Sequence, residues 1–498
     1  MSIRVRATRF DGERMARADA VRKIGEALRS VEYCDYHFHW DKDQWYPHGS
    51  FCNIGKAVRS PLELLFQGYA GSAFVQVPGF PFSTAWELIG QCLADEKKAY
   101  EIVQPFMSDI YGDPSLPPMV KGFQILYDMP DLNLSRPIHY WELSRRVRKA
   151  YQQGFLDRLS EAYGKASLRK SINIWTSRYA REHFDQLSEA QKEQELELTC
   201  PTFWFDYSLV LPFRYRQDIA IAKWFWELVQ DINGLPATLV DQPWRNNPYA
   251  QDIARHLRSI TFDDYLNFVD DAFVYFSKRG VQHLKSAGGH IRTLEFLERS
   301  EKDARRAFVQ LQSDFLDRPA HGNDFDEELR VFEDYVFYRC LRRAKEYGWT
   351  TIQIHTGYGT QSAEYGRPSL LEEAVRKNPQ MNFIMLHGGK HFHSDVVSLC
   401  DTYGNVVADF TGIPVLDPEL ARKMVRRFIT RHPYRTAAAL NMTNVEGSAG
   451  MAQINRRLIA ETLGDLYHRG TVGSIDEAVR VGRSIIFDLP RKLFAGRF

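Results

Sequence analysis

The stretch Val31–Trp40, VEYCDYHFHW, organises the interpretation of the whole chain. It is an apolar run that ends in His37 and His39, and alternate side chains of an extended strand point to the same side. Both imidazoles would therefore leave the strand end together and could bind one cation. Two surface histidines can meet this spacing by chance, so the interpretation depends on whether later strands end in residues that complete the site.

Composition favours a soluble protein with a small-molecule partner. The 498 residues can form one large α/β barrel or two to three smaller domains. The 64 Lys and Arg against 63 Asp and Glu give a net charge of +1, which favours neither nucleic acid nor an anionic membrane. Six scattered cysteines without a C-x-x-C pair indicate reduced thiols. With no signal-peptide h-region or membrane-length apolar run, we expect a cytoplasmic protein.

Apolar strands alternate with helical stretches along most of the chain. After the first strand, we expect strands at Ala166–Trp175, Phe203–Phe213, Val281–Ser286, Thr350–His355, Asn382–His387, Asn405–Phe410 and Thr436–Met442. Such alternation predicts a parallel sheet covered on both faces, and eight units predict a closed (β/α)8 (TIM) barrel. The active site of that fold lies at the C-terminal ends of the strands, where Lys285, His355, His387 and Asp409 fall.

The segment 41–165 carries helical periodicity and is expected to be an insertion after the first strand. We therefore divide the chain into an N-terminal helix and first strand (1–40), a helical insertion (41–165) and the remainder of the barrel (166–498). The insertion would cover the barrel mouth or form a dimer face, and we expect a homo-oligomer.

Histidines at several strand ends predict a site for a divalent cation. Neutral imidazoles suit zinc, which we expect first, and also manganese, iron or nickel. The chain has no paired thiolates to narrow this choice. A catalytic site would leave at least one position for water.

Taken in order, these strand ends resemble the amidohydrolase superfamily. The similarity is greatest to its amidohydrolase-related group, which includes nodulin- and FluG-like proteins, and more remote to the uronate isomerases. The motifs that carry it are Asp35-Tyr36-His37-Phe38-His39, Val281-Gln282-His283-Leu284-Lys285-Ser286, Gln353-Ile354-His355-Thr356-Gly357-Tyr358-Gly359, Leu386-His387-Gly388-Gly389 and Asn405-Val406-Val407-Ala408-Asp409.

The resemblance implies that His37, His39 and His355 bind a divalent cation. His387 would be a ligand of a second metal, or a general acid/base near the metal-bound water. Lys285 stands where some superfamily members carry a carboxylated lysine that bridges two metals. Its alternatives are a partner for a substrate carboxylate and a structural ion pair.

One position departs from the superfamily pattern. Relatives have an aspartate after the eighth strand that ligates metal and takes the proton from water, and our alignment places Asn444 there. Asparagine can lend an oxygen to a cation but cannot act as a base. His387, Asp409 and Glu446 are candidate substitutes, although Asp409 could instead hold neighbouring histidines in place. A shift in register would make Asn441 the equivalent residue.

Two further residues are candidates for substrate binding. Arg292 matches a polar position that follows the fourth strand in relatives, and it could hold a substrate carboxylate through two parallel hydrogen bonds. An ion pair is its alternative role. Tyr358 is placed in the pocket by its position alone.

These observations lead first to a metal-dependent hydrolase that attacks an amide or related C–N bond of a small carboxylate-bearing substrate. The cation would lower the pKa of a bound water to roughly 7. A decarboxylase, other lyase or isomerase on the same barrel is the second interpretation, because it needs no base for water. A non-catalytic barrel with a degenerate metal site is the third.

Overall fold

The computed structural model describes residues 15–38, 60–66, 69–153, 155–174, 184–214, 219–234, 248–290, 292–313, 315, 326–357 and 362–494. Two predicted site residues, His39 and Tyr358, lie outside these described residues.

The described strands form one parallel sheet in strictly sequential order. They are β1 (Tyr33–Phe38), β2 (Leu168–Ile174), β3 (Thr199–Trp204), β4 (Leu284–Ser286), β5 (Thr351–His355), β6 (Asn382–Leu386), β7 (Val406–Asp409) and β8 (Thr436–Ala437). Each strand is followed by helical structure before the next. This order is that of the expected (β/α)8 barrel, with its strands' C-terminal ends at one face.

The segment that follows β8 lies beside β1. The Asn441 N–H donates to the His37 carbonyl at 2.9 Å, and the Tyr33 hydroxyl donates to the Ala438 carbonyl at 3.1 Å. The Asp35 carboxylate accepts the Leu440 N–H at 2.9 Å. The last strand region and the first are therefore hydrogen-bonded neighbours.

Helices connect the strands and make up the described part of segment 41–165, which we call the insertion. Before β2 they are α1 (Arg17–Arg29), α2 (Pro61–Phe66), α3 (Tyr69–Phe74), α4 (Ala85–Ala94), α5 (Glu96–Val103), α6 (Met107–Ile110), α7 (Leu116–Leu126), α8 (Pro137–Tyr151) and α9 (Phe155–Ala166). Between β2 and β5 they are α10 (Glu189–Leu198), α11 (Leu211–Arg214), α12 (Ile219–Asn233), α13 (Pro248–Ser259), α14 (Phe262–Ser277), α15 (Glu301–Ser313) and α16 (Glu327–Glu346). After β5 they are α17 (Glu372–Lys377), α18 (His393–Thr402), α19 (Ile413–Leu416), α20 (Pro418–Arg431), α21 (Val445–His468), α22 (Ile475–Arg483) and α23 (Leu489–Leu493).

Two strands differ most from their predicted bounds. The third was expected at Phe203–Phe213, but β3 ends at Trp204 and a π-helical turn, Asp206–Val210, follows it. A short apolar run does not distinguish a buried strand from a buried helix by periodicity, which explains the error. The eighth was expected at Thr436–Met442, whereas β8 spans two residues and Asn441 has a left-handed φ of 55°.

The insertion packs closely on α21. A Cβ on Gly122 would lie 1.7 Å from the Glu446 carbonyl oxygen, and a Cβ on Gly450 would lie 1.8 Å from the Pro118 carbonyl oxygen. Only glycine at these two positions permits this approach of the α7 and α21 backbones. Among the described helices, none is both long and apolar enough to cross a membrane.

Candidate metal centre

Three buried histidines meet at the C-terminal ends of the barrel strands. His37 lies in β1, His355 ends β5, and His387 directly follows β6. Their candidate ligand atoms all lie within 4.8 Å of one another. The structure thus brings together two predicted metal ligands, His37 and His355, and the predicted catalytic residue His387, which we call the histidine triad.

The tautomer of His37 follows from its hydrogen-bonding partner. Its Nδ1 lies 3.1 Å from Gln353 Oε1, and Gln353 Nε2 donates to the Tyr36 carbonyl at 2.8 Å. Because the second bond fixes Oε1 as an acceptor, Nδ1 of His37 carries the proton. The lone pair of His37 is therefore on Nε2.

His387 is held in the same tautomer. Its Nδ1 lies 2.8 Å from the Thr411 carbonyl oxygen, which can only accept, so the lone pair is on Nε2. Burial lowers the pKa of His387 to about 3, so the imidazole is neutral at pH 7. A neutral imidazole suits a metal ligand, whereas a pKa this low makes a weak base. These features favour metal binding by His387 over the proton-carrying role predicted for it.

A fourth histidine orients His355. The His290 Nε2 atom makes a hydrogen bond with His355 Nδ1. If His355 donates in this bond, its lone pair is on Nε2, as in the other two triad members. Burial, followed by the nearby His290 and His387, holds the pKa of His355 well below its usual value. His290 was not among the predicted site residues, although it follows a Gly-Gly pair just after β4.

The Asp409 carboxylate is occupied by hydrogen bonds. Its Oδ1 accepts the His387 and Thr411 backbone N–H groups, each at 2.9 Å, and its Oδ2 accepts the hydroxyls of Thr411 and Tyr36. Burial raises the pKa of Asp409 to about 6. These contacts favour the alternative weighed for Asp409, which is to hold His387 in place, over direct proton transfer.

The asparagine beside the triad is Asn441 and not Asn444. Asn444 caps α21: its Oδ1 accepts the Gly447 N–H at 2.8 Å and its Nδ2 donates to the Leu64 carbonyl at 3.0 Å. These contacts give it a capping role in place of the predicted metal-binding role. Asn441 is 3% exposed, and a Cβ placed on Gly412 would contact both Asn441 Nδ2 and His387 Nδ1, at 2.7 and 3.5 Å.

The amide of Asn441 is held at only one of its ends. Its Nδ2 hydrogen-bonds the Tyr69 hydroxyl, whereas its Oδ1 is buried with no hydrogen-bond partner in the described part of the chain. A buried polar atom left in this state costs free energy, which makes Oδ1 a candidate acceptor for a ligand. Because β8 ends early and the chain then turns irregularly, these contacts favour the shifted register in which Asn441 is the equivalent residue.

Lys285 lies inside the barrel with 1% of its surface exposed. It is the register partner of Gln353 on β5, and the Gln353 side chain reaches His37. Its Nζ lies 4.8 Å from the centre of the Trp204 ring, which stacks on the His355 ring at 6.5 Å. Burial holds the pKa of Lys285 well below its usual value, a shift that Asp206 and Asp35 oppose.

Arg292 is committed to a buried ion-pair network. Its Nη1 contacts Glu333 Oε2 at 2.9 Å and its Nη2 contacts Asp334 Oδ1 at 2.7 Å. Its Nε donates to the Thr293 carbonyl at 2.9 Å, so all three guanidinium nitrogens have protein partners. These contacts favour its alternative role as an ion pair over the predicted binding of a substrate carboxylate.

The donor set of the triad fits a divalent cation. His37 and His387 each present Nε2 while Nδ1 is hydrogen-bonded to the protein, which is the usual arrangement of metal-binding histidines. Imidazole nitrogens suit zinc and other first-row metals, so the donors do not select one metal.

The sequence comparisons identify one family over part of the chain. A family model described as Amidohydrolase matches residues 289–439. This segment includes His355 and His387, two members of the triad. No curated protein matches the chain.

Solved structures resemble this fold over nearly its whole length. The glucuronate isomerase of Caulobacter crescentus is 11% identical, with 99% of this chain and 97% of that chain covered and a TM-score of 0.65. The uronate isomerase of Thermotoga maritima is 12% identical, with 97% of this chain and 99% of that chain covered and a TM-score of 0.62. A Lactobacillus casei protein provisionally named a metal-dependent hydrolase is 13% identical, with 95% of this chain and 97% of that chain covered and a TM-score of 0.53.

Proposed function

The chain has the fold of the amidohydrolase superfamily and a histidine site suited to a divalent metal, and from this premise we propose that it is a metal-dependent isomerase of a small hydroxy acid. The reaction would move a proton from a hydroxyl-bearing carbon of the substrate to a neighbouring carbonyl carbon, while the hydroxyl proton passes to the carbonyl oxygen. Hydrolysis of a C–N bond, which we expected first from the sequence, becomes the second candidate.

The choice of isomerisation over hydrolysis rests on the side chains that lie beside His387. The residue beside His387 after β8 is Asn441, and an amide cannot take a proton from water. The carboxylate of Asp409, which also contacts the His387 backbone, already accepts four hydrogen bonds. Neither Asn441 nor Asp409 therefore offers a free carboxylate base for a water molecule, whereas isomerisation needs no water nucleophile.

The histidine triad would hold the cation, which when bound would polarise the oxygen atoms of the substrate. We assign the proton transfer to the Lys285 amine, because its burial favours the neutral form, which can accept a proton from carbon. Its register partner Gln353 contacts His37, which supports a position for Lys285 on the same inner face. The similarity in fold to uronate isomerases makes sugar acids the first substrates to test.

Hydrolysis keeps its place as the second candidate for a specific reason. The matched family model carries the description Amidohydrolase, and a neutral Lys285 could also take a proton from water. The two candidates differ in their products, since an isomer has the mass of its substrate and hydrolysis adds one water.

The test is product analysis by mass spectrometry and proton NMR with metal-loaded protein in H2O and D2O. A panel of uronates and other sugar acids is compared with a panel of N-acyl amino acids and small amides. We expect isomers of unchanged mass in H2O and isomers with deuterium at one carbon in D2O, with loss of turnover in Lys285→Met. Cleavage of the amides without isomerisation would instead establish hydrolysis. The Asn441→Asp variant is the matched control, because it supplies the missing carboxylate and should gain hydrolysis.

A further inference from the structure

Trp204, the last residue of β3, lies beside the amine to which we assign the proton transfer. In the sheet it is the register partner of Lys285, which is itself the register partner of Gln353 on β5. Side chains in register on neighbouring strands point to the same side of a sheet. The three residues therefore form a row across β3, β4 and β5, on the face where Gln353 reaches His37.

The indole of Trp204 lies against both the amine and the metal site. Lys285 Nζ is 4.8 Å from the centre of the ring, within the range of a cation–π interaction. The same ring stacks on the imidazole of His355, with the ring centres 6.5 Å apart and an angle of 26° between the ring planes. Trp204 is 5% exposed and Lys285 is 1% exposed. A cation–π pair that is removed from water in this way is stronger than an exposed one.

The indole is a different kind of partner from a carboxylate. No residue in the described part of the chain makes a salt bridge or a hydrogen bond with Lys285 Nζ. A carboxylate in contact would hold a buried lysine in its charged form, which cannot accept a proton. An aromatic face lowers the cost of the ammonium form by less, so the neutral form stays accessible. A base that gains a proton from one carbon and returns it to the next needs both forms.

We propose that Trp204 is a positioning residue for the isomerase reaction, holding the Lys285 amine in place and stabilising the ammonium that it forms between two proton transfers. The proposal rests on the function proposed above. In the first transfer the amine accepts the proton of the hydroxyl-bearing carbon, and the electron pair of that C–H bond passes into a C=C bond. In the second transfer the ammonium gives the proton to the neighbouring carbon, and the same electron pair forms the new C–H bond. Lys285 is neutral before and after the reaction.

The titratable groups that face Lys285 come from the neighbouring strands and the turns after them. They are Asp35, Asp206, His283, His290, His355 and His387. Burial lowers the pKa of each of the four histidines, so they are neutral at pH 7. The two aspartates favour the ammonium form of Lys285, and burial raises the pKa of Asp35 to about 7. All six groups are common to the parent protein and to variants of Trp204, so a comparison between these proteins reports the indole.

The first test measures the pKa of Lys285 without requiring turnover. The full-length, zinc-loaded protein carries [ε-13C]lysine, and the Lys285 signal is identified by its absence from Lys285→Met. Its chemical shift is followed against pH in the parent protein, in Trp204→Phe and in Trp204→Leu, after the zinc content of each has been measured. Trp349→Phe and Trp349→Leu are the matched controls, because Trp349 is a buried indole that packs on Phe273 and Tyr347.

We expect the pKa of Lys285 to fall by about one pH unit in Trp204→Leu, which is a tenfold loss of proton affinity. It should fall by less in Trp204→Phe, whose ring is a weaker partner for a cation, and stay unchanged in the Trp349 variants. An unchanged or higher pKa in both Trp204 variants, or an equal fall in the controls, would overturn the proposal. If Trp204→Leu does not fold, the comparison of Trp204→Phe with Trp349→Phe decides.

The second measurement follows the isomerase reaction against pH. Because the base must be neutral, kcat/KM rises with pH through the pKa of Lys285, and a lower pKa moves this rise to lower pH. Trp204→Leu should therefore shift the rise by about one pH unit toward acid and lower kcat at high pH, since a weaker base takes a proton from carbon less readily. A rise that does not move would contradict the proposal. A fall in the pKa of Lys285 without isomerisation of any sugar acid would support the contact between indole and amine and reject the proposed function.

Discussion

Hydrogen bonds between Nδ1 atoms and the protein fix the tautomers of two histidines of the triad. The Gln353 amide holds the Nδ1 proton of His37, and the Thr411 carbonyl holds that of His387. Both rings are thereby fixed in the tautomer that presents Nε2, so binding a cation requires little reorganisation. Gln353 is itself fixed by the carbonyl of Tyr36, which makes it a positioning residue for the metal site.

Replacing Gln353 by leucine should weaken metal binding by about 10- to 100-fold, because His37 loses the acceptor that fixes its tautomer. The measurement is the dissociation constant for zinc by chelator competition. Gln353→Glu keeps an acceptor for His37 Nδ1 and should bind zinc at least as tightly as Gln353→Leu does. An exposed substitution, Gln152→Leu, controls for general effects. Unchanged affinity in Gln353→Leu would show that His37 is not a ligand.

At the scale of the elements, the strand ends carry unusual backbone conformations. His387 has a φ of 64° after β6 and Asn441 has a φ of 55° after β8. Non-glycine residues in this left-handed region are uncommon and concentrate at functional sites. Helix α21 follows Asn444, whose side chain caps the helix and donates to the carbonyl of Leu64 in the insertion.

The capping role of Asn444 predicts a stability effect without a metal effect. Asn444→Ala should lower the free energy of unfolding by about 1 kcal/mol or somewhat more, because the Gly447 N–H loses its acceptor. Zinc affinity should not change. Asn444→Asp retains the acceptor and should recover most of the loss in urea unfolding. If Asn444→Ala lost the metal, the residue would be a ligand after all.

At the scale of the whole molecule, the insertion and the barrel are joined by a buried ion pair. Arg158 of α9 contacts Glu446 of α21 at 3.0 Å, and both are almost completely buried. The hydroxyls of Tyr127 and Tyr151 also donate to Glu446, at 2.7 and 3.0 Å. Glu446, which we considered as a substitute for the missing base, is therefore occupied in holding the insertion on the barrel.

Breaking this pair should destabilise the protein strongly. Arg158→Met leaves Glu446 buried without its cation and should cost about 3–5 kcal/mol of unfolding free energy. The double variant Arg158→Met, Glu446→Gln removes the stranded charge and should recover part of the loss. Arg145→Met, in an exposed pair with Glu142, should change stability by less than about 1 kcal/mol. Thermal unfolding of the three variants provides the comparison, and similar losses in both single variants would contradict the argument.

The sequence by itself predicted the barrel class and the strand-end positions of the three triad histidines. The alternation of strands and helices and the positions of the strand ends follow from local periodicity, which the sequence itself contains. For this reason the sequence predicts that His37, His355 and His387 lie close together, as they do. His290 escaped notice because its role depends on contact with His355, 65 residues away.

Only the tertiary structure decided which residues complete and support the site. β8 spans only two residues, and hydrogen bonds between the following segment and β1 fix the position of Asn441. Sequence periodicity does not record these bonds, and the sequence-based alignment therefore selected Asn444, three residues later. The partners of Arg292 lie on α16, 41 and 42 residues along the chain. Such choices depend on which distant groups meet in the folded chain, and local sequence periodicity carries no record of those meetings.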